Sequence, residues 1–75
     1  MNAQGRKEIS KYIASLNEIK GNLEFMKDSE EEKYDNMPEG LQDSERGEQM
    51  QEAIDALDNA ITSLEETIDS LNEIN

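Results

Sequence analysis

Carboxylates are the only side chains in this chain with the chemistry for acid–base or metal work. The 75 residues include 19 Asp and Glu but no Cys and no His, which excludes a thiol nucleophile, an imidazole base and an ordinary zinc site. The densest acidic run is Asp28 to Glu32. An EF-hand loop needs alternating oxygen ligands, a central Gly and a Glu at position twelve. The run lacks that pattern, so we expect a solvated helical face there and no metal.

Paired-carboxylate chemistry is also disfavoured. Carboxylate-bridged metal pairs in four-helix bundles use Glu-x-x-His motifs, which a chain without His cannot supply. Glycoside hydrolysis needs two carboxyl groups facing each other across a cleft, and 75 residues with 33% apolar content build only a small core. We therefore expect no catalytic residue, no cofactor and no enzyme activity.

The net charge of -12 disfavours direct binding to nucleic acid or to an anionic membrane, because both carry negative charge. A partner attracted by charge should be basic. The longest apolar run is the three residues Tyr12 to Ala14, too short for a transmembrane helix or for the apolar stretch of a signal peptide. We expect a cytosolic protein without membrane contact.

The spacing of apolar residues predicts two helices. Intervals of three and four are typical of one stripe of an α-helix. In the first half they predict a helix over residues 6–34, and in the second half a heptad repeat predicts a helix over residues 45–73. The first stripe comprises Ile9, Tyr12, Ile13, Leu16, Ile19, Leu23 and Met26. The second comprises Met50, Ile54, Leu57, Ile61, Leu64, Ile68 and Leu71.

Residues 35–44 form the predicted joint between these helices. Pro38 forces the preceding residue out of helical geometry, so the first helix should end by about Asn36. Asp43 or Ser44 should cap the second helix. The expected fold is all-α, with residues 1–75 forming a single antiparallel two-helix hairpin that resembles a coiled coil.

The two stripes predict a register in which the numbers of facing residues add to 80. Gly40 is then the fold point, and Gly47 indicates close approach of the first helix or of the joint, since Gly is costly inside a helix. Six apolar layers result. They pair Ile9 with Leu71, Tyr12 with Ile68, Leu16 with Leu64, Ile19 with Ile61, Leu23 with Leu57, and Met26 with Ile54.

An extra apolar column beside the seam, formed by Ile13, Ala53, Ala60 and Ile74, predicts self-association. Small residues permit close helix approach, so two hairpins could form a four-helix bundle as a homodimer. A marginal monomer and a hairpin completed by a different protein remain open. In the joint, Tyr34, Met37 and Leu41 either cover the open end of the bundle or contact a partner.

The second helix also carries an acid ladder. Residues 48–75 hold eight acids and no base, and a dimer of 45 Å rods would carry about one charge per 2 Å, close to the ~1.7 Å of duplex DNA. The ladder is therefore interpreted either as a surface that keeps the protein soluble or as an imitation of a phosphate backbone. It comprises Glu48, Glu52, Asp55, Glu66, Asp69 and Glu73.

The segment YDNMPEGLQDSERGEQMQEAIDALDNAITSLEETI, about half of the chain, resembles small acidic helical-hairpin proteins of unknown function encoded by phages and mobile elements of Gram-positive bacteria. The resemblance implies a location in the bacterial cytoplasm and neither enzyme activity nor cofactor. It also raises the expectation of an inhibitor of nucleic-acid-binding defence systems, as anti-CRISPR proteins are, although no inhibitor motif matches residue by residue.

Three functions are compatible with these observations. The first, which we favour, is a non-catalytic protein–protein interaction module that self-associates. The second is an acidic mimic that blocks a basic nucleic-acid-binding protein of the host. The third is a scaffold piece of a larger assembly.

Overall fold

The computed structural model describes residues 1–75 as three helices and no strand. Helix α1 spans Ala3–Asp35, the short α2 spans Glu39–Gln42, and α3 spans Glu45–Asn72. The molecule is a thin rod of 58 × 14 × 12 Å. The all-α fold class is confirmed, and the packing of α1 along α3 is that of the predicted hairpin.

Side-chain caps fix where the long helices begin. The Asn2 side-chain oxygen accepts a hydrogen bond from Gly5 N at 2.8 Å, which satisfies an unpaired amide of the first turn and starts α1 three residues before the predicted position. Ser44 does the same for α3, since its hydroxyl accepts from Gly47 N at 3.4 Å. Of the two cap candidates, Ser44 is therefore the N-cap.

The joint is held by hydrogen bonds to the end of α1. The Gln42 side-chain amide donates to the Tyr34 carbonyl at 2.9 Å and to the Met37 carbonyl at 3.3 Å. The Ser44 hydroxyl donates to the Leu41 carbonyl. These bonds fold α2 back against the last turn of α1, and they set the point at which the chain reverses.

The seam of α3 has the predicted heptad pattern. Ile54, Ile61 and Ile68 are the most buried side chains in the molecule, at 5–7% exposure, and Leu57, Leu64 and Leu71 alternate with them as half-buried residues. Intervals of three and four keep all six on one side of the helix. The side chains of α3 therefore form most of the core.

The seam of α1 differs from the prediction. Tyr12, Ile19 and Met26 were expected in the layers, but they are 58%, 49% and 53% exposed. The half-buried positions of α1 instead follow the intervals four and three from its N-terminal end to the joint. The positions in this series are Ile9, Ile13, Leu16, Lys20, Leu23, Lys27, Glu30 and Tyr34, and Gly5, Ser29 and Glu31 are half-buried beside them.

The register also differs from the prediction by about one helical turn. Lys27 Nζ donates to Asp58 Oδ1 at 2.7 Å, and Asn75 Nδ2 donates to Ser10 Oγ at 3.0 Å. The residue numbers of both pairs add to 85 instead of 80, because the joint reverses near residues 42 and 43 and not at Gly40. Leu16 is consequently level with Ile68 and not with Leu64.

Gly47 lies where the joint packs most tightly on α3, as its position inside a helix predicted. It is buried, and a Cβ atom built on it would lie 2.6 Å from the Gln42 carbonyl carbon and 2.7 Å from the Leu41 oxygen. Those neighbours are backbone atoms that cannot rotate away. The close contact therefore requires glycine and helps to fix the reversal point.

A pair of conservative substitutions tests the corrected seam. We expect Ile61→Val to lower the free energy of unfolding by about 1 kcal/mol, because it removes a buried methylene group. Ile19→Val should change it by less than about 0.5 kcal/mol, since Ile19 is an exposed residue of the hairpin. Urea unfolding of both variants at the same low protein concentration gives the two values. Equal losses of unfolding free energy in the two variants would support the predicted layer of Ile19 with Ile61 and contradict the corrected seam.

A second pair tests the close contact in the joint. Gly47→Ala should destabilise the fold by about 1–3 kcal/mol, because the added methyl group collides with the Leu41 and Gln42 backbone. The control is Gly21→Ala, where an added Cβ meets no atom within 4 Å. That variant should gain up to about 1 kcal/mol from helix propensity. Thermal unfolding distinguishes the two, and a stabilising Gly47→Ala would contradict the contact.

Candidate interaction faces

The two sides of the rod differ in charge. In an antiparallel pair, a two-fold axis perpendicular to the plane of the helices relates them, so equivalent heptad positions flank the same side of the seam. On each helix, the residue just before an inward position such as Ile13 or Ile54 lies on the first side of the rod. The residue just after an inward position such as Leu16 or Leu57 lies on the second side. Lys33 lies on the first of these sides. The structure agrees, since Lys33 and Arg46 line one cavity together whereas Glu24, Asp58 and Glu65 line another.

The first side is an uninterrupted surface without charge, here called the uncharged face. It includes three large exposed apolar side chains on α1, and thirteen of its fourteen residues are exposed, with Ser29 half-buried. In a chain with 35% charged residues, such a stretch is typical of an interaction surface. The uncharged face comprises Tyr12, Ser15, Ile19, Asn22, Met26 and Ser29 on α1, and Gln49, Ala53, Ala56, Ala60, Ser63, Thr67, Ser70 and Ile74 on α3.

This surface contains three of the four residues predicted for self-association. Ala53, Ala60 and Ile74 belong to it, and Ile74 is 41% exposed. Ile13 does not, because it is half-buried in the seam; the prediction for Ile13 is corrected. Sequence reasoning assigned Tyr12, Ile19 and Met26 to the core, because their spacing of seven residues completes a heptad with Ile9, Leu16 and Leu23.

Charged residues occur only at the ends of the uncharged face. Glu8 lies at the end where the two chain termini meet, and Lys33 and Arg46 lie at the joint. Lys33 Nζ is 3.2 Å from Glu30 Oε1 on its own helix, and the Lys33 side chain is 64% exposed, so it remains accessible to a partner.

The acid ladder lies away from the uncharged face. Its six residues, Glu48, Glu52, Asp55, Glu66, Asp69 and Glu73, are all exposed. None of them belongs to an ion pair, and the only side-chain hydrogen bond is from Gln51 to Asp55 at 3.1 Å. Their carboxylates thus form a row of uncompensated negative charge along α3.

One ion pair crosses the seam on the acidic side. The Lys27 ammonium lies 2.7 Å from Asp58 and 3.7 Å from Glu31. The hydrogen bond that Lys27 donates to Asp58 raises the pKa of Lys27 above its ordinary value, with a smaller contribution from Glu31. The charged tip reaches the carboxylates while the aliphatic stem of Lys27 covers the core, so a lysine can occupy a seam position.

The joint residues line a shallow cavity of about 400 Å³. Met37 and Leu41 contribute to its wall together with Pro38, Met50 and the two cations Lys33 and Arg46. Met37 is half-buried and Leu41 is 53% exposed. Tyr34 is half-buried near the C-terminal end of α1, and its backbone carbonyl accepts a hydrogen bond from Gln42.

No group of three or more His, Cys, Asp or Glu side chains converges in a way that could hold a metal ion. Neither long helix has a stretch sufficiently apolar to cross a bilayer. Comparison with protein-family models, with curated proteins and with solved structures gives no match to this chain. Interpretation of its function therefore rests on the two faces.

Proposed function

We propose that this protein is a non-catalytic interaction module that associates with itself through the uncharged face. The observation that supports this is the exposure of Tyr12, Ile19 and Met26 on the same side as Ala53 and Ala60. A single exposed apolar side chain is normal on a protein surface. A continuous patch that contains several of them favours burial against a partner.

Charge favours a second copy on this face over any other face. Two chains of charge -12 repel each other, and the acidic side would bring carboxylates together. The uncharged face allows contact without that cost, and the alanines permit close helix approach. Two hairpins joined in this way form the four-helix bundle expected from the sequence.

A substitution at the centre of the face tests the proposal. Light scattering of the parent chain at tens of micromolar should give twice the chain mass of 8.5 kDa. Ala60→Glu should give the monomer mass and retain the helical circular dichroism signal, because it places a charge in the interface and leaves the seam intact. The matched control Thr62→Glu adds the same charge to an exposed position on the acidic side of α3 and should remain dimeric. A monomeric parent chain contradicts the proposal.

The acid ladder supports a second candidate function, inhibition of a basic nucleic-acid-binding protein. Its six carboxylates extend over 25 residues of α3, about 38 Å of helix at 1.5 Å per residue, with no base to compensate them. This row of negative charge, which Asn59 and Thr62 interrupt, resembles a phosphate backbone to a basic groove. The ladder points away from the uncharged face, so a dimer would present both ladders to solvent. As a scaffold piece of a larger assembly, the protein would instead contact neighbouring proteins through the uncharged face.

Removal of charge from the ladder distinguishes these candidates. The variant carries Glu52→Gln, Asp55→Asn, Glu66→Gln and Asp69→Asn, which preserve side-chain shape and helical packing. If the ladder mimics nucleic acid, capture of basic proteins from bacterial lysate should fall, and the salt dependence of capture should flatten. The control neutralises Glu18, Glu24, Asp28 and Asp35 on α1, all of them exposed. Equal capture by the parent and the ladder variant, at low and high salt, excludes mimicry.

A further inference from the structure

The charges at the ends and edges of the uncharged face determine how two copies would pair on it. We propose that two hairpins pair antiparallel, with the joint of one beside the terminal end of the other, and that Glu8 of each copy faces Lys33 of its partner. This inference rests on the proposed self-association.

A two-fold axis gives each contact twice, so residue i meets residue j and residue j meets residue i. In the antiparallel arrangement, α1 stacks on the partner's α1 and α3 on the partner's α3. Pairing Glu8 with Lys33 places the axis midway between them, near position 20 or 21 of α1. That is close to the middle of the rod, so the two copies overlap along almost their entire length.

The residues of α3 are compatible with an axis at the same level. On the uncharged face of α3, Ala60 pairs with Thr67 and Ala53 with Ile74 when the axis passes between residues 63 and 64. Both pairs set a small side chain against a larger one, which suits close packing. Within one chain, position 21 of α1 is level with position 64 of α3, because facing residues add to 85. One axis therefore satisfies both helices to within about one residue.

Charges on the outer edge also favour this arrangement. Lys11 of α1 faces Glu32 of the second copy, which adds a second attractive pair beside Glu8 with Lys33. The unfavourable edge contact is Glu52 with Glu73 on α3. Each attractive pair occurs twice in the dimer, and exposed pairs of this kind select orientation more than they add affinity.

The parallel alternative, with both joints at one end, stacks α1 on the α3 of the second copy. It brings Lys33 close to Arg46, Glu18 to Glu66 and Glu32 to Glu52, all of them like charges. Only Lys11 with Glu73 is attractive there. Repulsive contacts of this kind suppress the wrong arrangement even where the apolar surfaces fit.

A distance between the two joints measures the orientation. The chain has no Cys, so Asp43→Cys gives a single spin-label site at an exposed position of the joint. Double electron–electron resonance should give roughly 55–60 Å for the antiparallel dimer, because the two joints then lie at opposite ends of overlapping rods that are 58 Å long. A distance below about 30 Å, expected for neighbouring joints at interhelical spacings of ~10 Å, overturns the antiparallel arrangement while self-association stands. Absence of any intermolecular distance overturns self-association itself.

Charge reversal tests the specific pair. Glu8→Lys and Lys33→Glu should each weaken the dimer about tenfold, since each converts two attractive contacts into repulsive ones. The double variant Glu8→Lys/Lys33→Glu should return to within about threefold of the parent dissociation constant. Lys7→Glu, with the same charge change on the opposite side of α1, is the control for net charge. A double variant as weak as the weaker single variant contradicts the pairing of Glu8 with Lys33.

Discussion

The point at which the chain reverses controls the rest of this structure. Gln42 bonds to the carbonyls of Tyr34 and Met37, and the absence of a side chain at Gly47 allows the Gln42 backbone to lie directly on α3. Together they fix the register, in which the numbers of facing residues add to 85, and the rotation of α1 about its axis. Both the seam and the residues left outside it follow from that rotation.

Rotation of α1 explains why lysines occupy the seam while Tyr12, Ile19 and Met26 remain exposed. A single hairpin would bury more apolar area with those three residues inside. The observed rotation instead places Lys27 where it contacts Asp58 across the seam. The exposed side chains therefore mark a surface available to a second protein, and charge favours another copy of the chain.

Under the proposed self-association, the separation of charge between the two sides leaves each side free for a different contact. Every acid of residues 48–75 lies off the uncharged face, so a dimer formed there keeps its carboxylates in water, where they are best solvated. A protein of charge -12 can then self-associate despite its overall repulsion. The same arrangement leaves the acid ladder free for a basic partner.

The sequence by itself determined the two helices, the joint and the α3 seam, because its Ile and Leu heptads and Pro38 act locally. It also located Ala53, Ala60 and Ile74 beside that seam. It could not choose the α1 seam, since Tyr12/Ile19/Met26 and Ile13/Lys20/Lys27 both complete a heptad with Ile9, Leu16 and Leu23. Only the tertiary structure decided between them, because the reversal point depends on how the Gln42 and Gly47 backbones pack, and no periodicity in the sequence records that contact.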